Sequence, residues 1–230
     1  MSELLIKAEK ITKVYKTFAE EIKAVKEVDL EIRAGEFISI MGPSGSGKTT
    51  LLDILGCLDR VSSGKLTVLG KDVSKLRENS LVKIRRNNIG FVFQDFLLIQ
   101  TLTALENVEL PLLFGRMPVE RSKAVNLLEK VGLGHRINHL PKEMSGGERQ
   151  RVSIARALVS SPKILFADEP TGNLDSKSGQ QIFDILSALN QKDGLTIILT
   201  THNKNFGSKA GRIIYLRDGS IVSQDEASLY

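Results

Sequence analysis

Residues 42–50 read GPSGSGKTT. Gly42, Gly47, Lys48 and Thr49 satisfy the spacing G-x-x-x-x-G-K-[ST], and each residue type has a physical task there. Gly42, Gly45 and Gly47 permit turns and close approaches that a Cβ would block, so that successive amides aim at phosphate oxygens. The expected phosphate contacts are therefore the whole loop: Gly42, Pro43, Ser44, Gly45, Ser46, Gly47, Lys48, Thr49 and Thr50. Upstream, EFISIM (36–41) reads as a short buried strand; downstream, Leu51, Leu52, Leu55 and Leu58 carry helical spacing over 48–58. An anion at that helix start meets the positive end of the helix dipole, Lys48 reaches the β- and γ-phosphates, and the Thr49 hydroxyl suits Mg²⁺. A cation about 4 Å from a phosphate charge gains roughly 4 kcal/mol at an effective dielectric near 20, before desolvation. Strand, glycine turn and helix together imply a bound nucleotide.

The rest of the chain sets bounds on that reading. Its 230 residues suffice for one domain with a sizeable core. No run of 18 or more apolar residues occurs, and MSELLIKAEK lacks the apolar stretch and cleavage site of a signal peptide, so neither a membrane span nor export is expected. A single cysteine, Cys57, rules out an internal disulfide and fits a packing role in a reducing compartment. The net charge of +5 permits an acidic partner, nucleic acid or an anionic membrane surface. It does not demand one: Lys13, Lys16, Lys23 and Lys26 are spread through probable strands and read as solvated surface.

Apolar and polar residues alternate in LLIKAEKI (4–11) and IKAVKEVDLEI (22–32), which predicts half-buried antiparallel strands. KLTVLG (65–70) and IGFVF (89–93) are strand-like and flank a polar helical stretch at 78–86. Helical periodicity then fills 102–158, with breaks expected at Pro111, Pro118, Gly132, Gly134 and Pro141. Parallel-strand features resume with KILFAD (163–168), TIILTT (196–201) and RIIYLRDG (212–219), the first two separated by a helix over about 178–190. Asp218 and Gly219 signal a closing hairpin.

Two further stretches carry chemistry. KILFADEP (163–170) is an apolar strand that ends in paired carboxylates: Asp168 suits Mg²⁺ held through water, and Glu169 suits a base for the water that attacks the γ-phosphorus. MSGGERQRVSIARAL (144–158) sets Ser145 at an N-cap before an amphipathic helix, with Gly146 and Gly147 behind it, and so forms a second anion site. One nucleotide does not need two separate helix starts from one small fold. His135, His139 and Glu143 also have a metal-like spacing, yet Gly134 and Pro141 interrupt the helix and no thiol is near.

In order, the chain carries Tyr15, the phosphate loop, Gln94 in FVFQD, MSGGE (144–148), the strand at 164–168 with Glu169, NLD (173–175) and His202 in TTH. Over essentially its full length this resembles the ATP-binding cassette subunit of an ABC transporter. GCLDRVSSG, TALENVELPLLFG and ADEPTGNLDSKSG are similar to the lipoprotein-release, macrolide-export and antimicrobial-peptide-resistance branch. The resemblance implies an α/β fold: a P-loop NTPase (RecA-like) core with an N-terminal antiparallel β-subdomain and an inserted α-helical subdomain. The core would be 1–94 with 160–230, and the helical subdomain 95–159. It implies a head-to-tail homodimer in which ATP is shared between the phosphate loop of one copy and the signature of the other.

The same resemblance assigns roles. Tyr15 stacks on adenine; Gln94 senses Mg²⁺ and the γ-phosphate; Thr49, Gln94 and Asp168 surround the metal. Ser145, Gly146 and Gly147 reach the γ-phosphate from the second copy, Asp175 bridges the copies, and His202 holds the γ-phosphate with Lys48 and Glu169 as catalytic partners. Met144 and Glu148 stand where the family motif LSGGQ has Leu and Gln. A separate integral membrane permease is implied, with this chain peripheral on the cytoplasmic face of the membrane, and Phe96, Leu97, Leu98 and Ile99 in DFLLIQ offer apolar side chains to the permease's coupling helix. Two alternatives stay open: a mechanotransmission ATPase that moves no solute, and a soluble ABC ATPase acting on nucleic acid or the ribosome, for which the positive charge is the only support.

Overall fold

The alternating N-terminal segments form β1 (Leu4–Lys16) and β2 (Glu21–Arg33), paired antiparallel. These come from a computed structural model that describes residues 2–16, 20–115 and 117–228. Ile6, Ile11, Val25 and Ile32 turn inward and are wholly buried. The register slips twice near Lys10 (φ 49°) and Glu27 (φ 46°), where β-bulges sharpen the local twist. β3 (Phe37–Met41) follows, buried at every position as a strand covered on both faces requires. It feeds α1 (Lys48–Leu55), whose Leu51, Leu52, Ile54 and Leu55 are fully buried. The helix was expected to run to Leu58 but stops three residues earlier. Gly56 and Cys57 satisfy the last carbonyls through bonds to Leu52 and Ile54, Cys57 takes φ 60°, and Leu58 leaves the apolar face to stand 40% exposed. β4 (Ser63–Val68) and β5 (Lys71–Asp72) complete an antiparallel sheet in the order β2-β1-β4-β5, and α2 (Glu78–Arg85) turns Leu81 and Ile84 inward.

The chain divides into two compact units, Met1–Arg85 with Thr196–Tyr230, and Arg86–Leu195. The second begins with β6 (Ile89–Val92) and continues through α3 (Ala104–Gly115), α4 (Arg121–Lys130), α5 (Gly146–Leu158), β7 (Ile164–Asp168) and α6 (Ser176–Asp193). β6 and β7 pair in parallel, and Phe166 stacks on Phe91 with ring centroids 5.5 Å apart. α5 is the hub of this unit, packed against α3, α4, α6 and β6. Pro111, expected to break a helix, sits inside α3. Its missing N–H and steric clash cost about 3 kcal/mol. Burial of Leu105, Val108 and Leu112 along the same helix offsets that cost. The expected breaks at Pro118 and Gly132 do fall outside helices.

α5 starts at a reciprocal cap. The Glu148 N–H donates to Ser145 Oγ at 3.2 Å, and the Ser145 N–H donates to Glu148 Oε2 at 2.8 Å. That backbone N–H, together with the positive charges of Arg136 and Arg151, holds the Glu148 carboxyl below the usual carboxylate range.

The chain then returns to the first unit. β8 (Thr196–Thr201) and β9 (Arg212–Arg217) pair in parallel with β3, with α7 (Lys204–Gly207) between them in sequence. Asp218 (φ 46°) and Gly219 (φ 83°) form the expected tight turn into antiparallel β10 (Ser220–Val222), and α8 (Gln224–Ser228) follows. Among the described residues no helix is long and apolar enough to cross a membrane.

Truncation of Phe166, which is 0% exposed, should lower stability by roughly 3–5 kcal/mol, read as a fall in the urea midpoint at constant m. Glu148 gives a second expectation. Its folded pKa is depressed, so its contribution is present above the unfolded value near about 4.3 and is lost as pH falls through the folded value. The stability gap between the parent and Glu148→Gln should therefore narrow as pH drops below about 4.3; a gap independent of pH would remove the Glu148 charge from the stability account.

Candidate functional site

The turn from β3 into α1 is shaped by two close approaches. Gly47 has φ 99°, and a Cβ there would lie 2.2 Å from the carbonyl oxygen of Ala24. A Cβ on Gly42 would lie 2.1 Å from the carbonyl oxygen of Leu216. Only glycine fits at either position. α1 begins at Gly47 without a side-chain cap and has no acidic residue in its first turn, so no carboxylate of its own first turn offsets the positive end of its dipole. Lys48 is 6% exposed, and its ammonium donates to the carbonyls of Gly42 (3.0 Å) and Pro43 (2.8 Å). Two neutral carbonyls leave a buried positive charge uncompensated, which a phosphate would neutralise. The Ser46 hydroxyl, buried at 3% exposure, has no protein partner and supplies another donor in the same loop. Glycine cradle, cation and orphaned hydroxyl fit a nucleotide phosphate.

Two other expected residues lie in this first unit. Tyr15 is 40% exposed; its hydroxyl donates to Asp59 Oδ2 at 2.8 Å, and the Lys13 ammonium sits 4.9 Å from the ring centroid. Lys13 also donates to Asp59 Oδ1 and to the Arg60 carbonyl. Burial, and after it the Asp59 carboxylate, pushes the Tyr15 phenol above its ordinary pKa, so the ring stays neutral with its orientation fixed. His202, exposed after β8, lines a cavity of about 500 Å³ together with Gly42, Pro43, Lys204 and Tyr215. The structure thus brings His202 to the phosphate loop.

The second unit gathers Gln94, the signature and the segment after β7. Gln94 Nε2 donates to Asn173 Oδ1 (3.1 Å), and Asn173 Nδ2 donates to the Gln94 carbonyl and to Asp95 Oδ1. Gln150 of α5, wholly buried, donates to the carbonyls of Phe93 and Pro170. Asp168 ends β7 half-buried, and Glu169 follows with φ 42°, a left-handed conformation that costs a non-glycine residue roughly 1–3 kcal/mol. The Asp175 carboxylate accepts from the Lys177 and Ser178 amides and the Ser178 hydroxyl, capping α6; the Ser178 amide foremost holds it below its usual pKa.

The loop after Gln94 departs from expectation. Leu98 is only 7% exposed, whereas Leu97 and Ile99 stand 55% and 43% exposed. Phe96 and Leu97 both adopt left-handed φ, 61° and 47°, at roughly 1–3 kcal/mol each. Cys57 is buried, and burial pushes its thiol up to about 11, as a packing role requires. Of the metal-like trio, His139 Nε2 meets the Arg136 guanidinium and Glu143 accepts from the Leu140 amide. Lys13, Asp59, Gln150 and Arg156 were absent from the expected set. Asp59 lies 44 residues from Tyr15, and no local spacing signals such a pairing.

Comparison with known proteins agrees with this geometry. The family model for ABC transporters matches residues 25–172. The ABC transporter ATP-binding protein MJ0796 of Methanocaldococcus jannaschii is 50% identical over 228 residues, spanning 96% of this chain and 97% of that protein. The macrolide export ATP-binding/permease protein MacB of Bdellovibrio bacteriovorus is 47% identical over 94% of this chain, which spans 33% of MacB. A solved dimeric, post-hydrolysis structure of the ATP-binding cassette MJ0796 with ADP and Pi superposes with a TM-score of 0.88 at 48% identity, over 95% of this chain and 97% of that one. With an intact phosphate loop in the fold of those cassettes, this chain belongs to the ABC transporter family as an ATP-binding subunit, an ABC ATPase.

Proposed function

We propose that two copies of this chain close head to tail on two Mg-ATP and drive a separate membrane permease, of the export or lipoprotein-handling kind, from the cytoplasmic face of the membrane. The observation that carries this reading is the presence in one chain of two helix starts with glycine in the turn, α1 uncapped behind Gly47, and α5 capped by Ser145 and Glu148 with Gly146 and Gly147 at its first positions. The dimeric form of the MJ0796 cassette and the fusion of ATPase and permease in MacB support it.

In this reading Lys48, Ser46 and the loop amides bind the phosphates, Tyr15 receives the base on a ring already oriented by Asp59, and His202 holds the γ-phosphate. Glu169 accepts a proton from the attacking water, His202 helps position that water, Gln94 senses Mg²⁺ and the γ-phosphate, and Ser145, Gly146 and Gly147 donate to the phosphate of the opposite copy. Mg²⁺ keeps phosphate and water ligands and takes few from the protein; Thr49, Gln94 and, through water, Asp168 are the proposed ones. Bound there, the metal would offset the charge that develops on the phosphate oxygens. Asp175 is the proposed contact between copies. The exposed Leu97 and Ile99, rather than the buried Leu98, face the permease.

Glu169→Gln keeps the shape and removes the base. It should bind ATP and accumulate as dimer on size exclusion, with turnover reduced by about 10³-fold or more; undiminished phosphate release would sink the assignment. Leu97→Glu should leave ATP hydrolysis by the isolated chain intact while abolishing co-purification of a multispanning protein from detergent-solubilised membranes. If that protein is retained equally, the docking face lies elsewhere.

A further inference from the structure

The loop 95–99 holds a conformation that its own residues disfavour. Phe96 and Leu97 are large side chains in consecutive left-handed conformations, and the Leu97 N–H turns back to the Asp95 carbonyl at 2.6 Å. Something outside the loop must over-determine such a geometry. Arg156 on α5 does so: its Nη1 donates to the Leu97 carbonyl at 2.5 Å and its Nη2 to the Phe96 carbonyl at 2.9 Å. A planar guanidinium spans two adjacent carbonyls, which a lysine ammonium on a flexible stem does not.

Neighbouring contacts fix the rest of the loop. The Arg149 guanidinium, also on α5, lies 5.0 Å from the Phe96 ring centroid. Asn107, wholly buried on α3, accepts from the Ile99 N–H and donates to the carbonyls of Ile99, Leu102 and Thr103. Asn107 anchors the far end of the loop to α3, and Arg156 anchors its strained middle to the signature helix. Between the two anchors Leu98 turns in while Leu97 and Ile99 turn out.

We propose that Arg156 is a positioning residue that ties loop 95–99 to the signature helix α5, locking Phe96 and Leu97 in the left-handed conformation that presents Leu97 outward, so that helix and loop move as one body. The tie rests on geometry alone; its use toward a membrane partner rests on the proposed function. Any displacement of the Ser145 end of α5 then reaches the Leu97 face without passing through the catalytic residues.

The test is site-directed spin labelling of the full chain. Cys57 is 1% exposed with its thiol pKa near 11, so a nitroxide goes selectively to Leu97→Cys. A second label on Phe114→Cys, 76% exposed, serves as a control remote from the clamp in sequence. In Arg156→Lys, and again in Arg156→Ala, the correlation time at residue 97 should shorten by about threefold or more, while the label at 114 is unchanged and Cys57 stays unlabelled. A smaller change at residue 97 in both variants overturns the tie. So does equal loosening at 114 or labelling of Cys57, since Arg156 would then serve general stability. Because the measurement uses the isolated chain, it stands or falls independently of the co-purification result with Leu97→Glu.

Discussion

The phosphate loop is gripped from two sides by backbone. The Ala24 carbonyl of β2 leaves no room beyond a hydrogen at Gly47, and the Leu216 carbonyl of β9 does the same at Gly42. The turn therefore depends on both the antiparallel strands and the parallel strands of the first unit, and it has little freedom of its own. Preorganisation of this kind matters for anion binding, because amides held in place need no reordering when the ligand arrives. The same rigidity explains why Lys48 tolerates burial. Its ammonium has carbonyls fixed within hydrogen-bond distance, and the remaining charge stays available for a phosphate.

The second unit reaches rigidity differently, through polar side chains set into its packing. Gln150 and Asn107, wholly buried, and the half-buried Arg156 all hydrogen-bond to main-chain carbonyls in loops. Each such bond contributes only about 1 kcal/mol net, but leaving its partner unmade in a dry interior costs about 1–3 kcal/mol. The network thus penalises alternative loop conformations more than it strengthens the native one. Uniqueness of the loops around Gln94 and Asn173 follows from that penalty, whereas bulk stability comes from the apolar faces of α5 and β7.

The local frame of the candidate site was legible because its elements are written in local spacing. Strand, glycine turn and lysine lie within a dozen residues, and so do the cap and glycines of α5. The periodic strands were legible for the same reason. Expectations failed where a local pattern met a tertiary choice. Leu58 fits a helical face, but Gly56 and Cys57 end the helix first. Pro111 signals a break, yet burial on either side carries α3 through it. Leu98 looked as exposed as its neighbours, because nothing in DFLLIQ reveals an arginine nearly 60 residues away that twists the loop. The partners of Tyr15 were hidden by the same distance in sequence.

The cap of α5 has a consequence for the direction of a single proton. A serine hydroxyl has two acceptor lone pairs and one hydrogen. At Ser145 one lone pair is occupied by the Glu148 amide, so that hydrogen is free to point away from the helix axis. Helix initiation and proton donation thus reside on one oxygen atom and call for different chemistries. Aspartate would cap the helix as well as serine does, yet it would turn a donor toward incoming anions into a repelling charge. Threonine would keep both properties at the price of a methyl group beside the backbone. If the proposed phosphate meets position 145, aspartate there would suit the fold and not the ligand, and stability measurements alone would not tell it from serine.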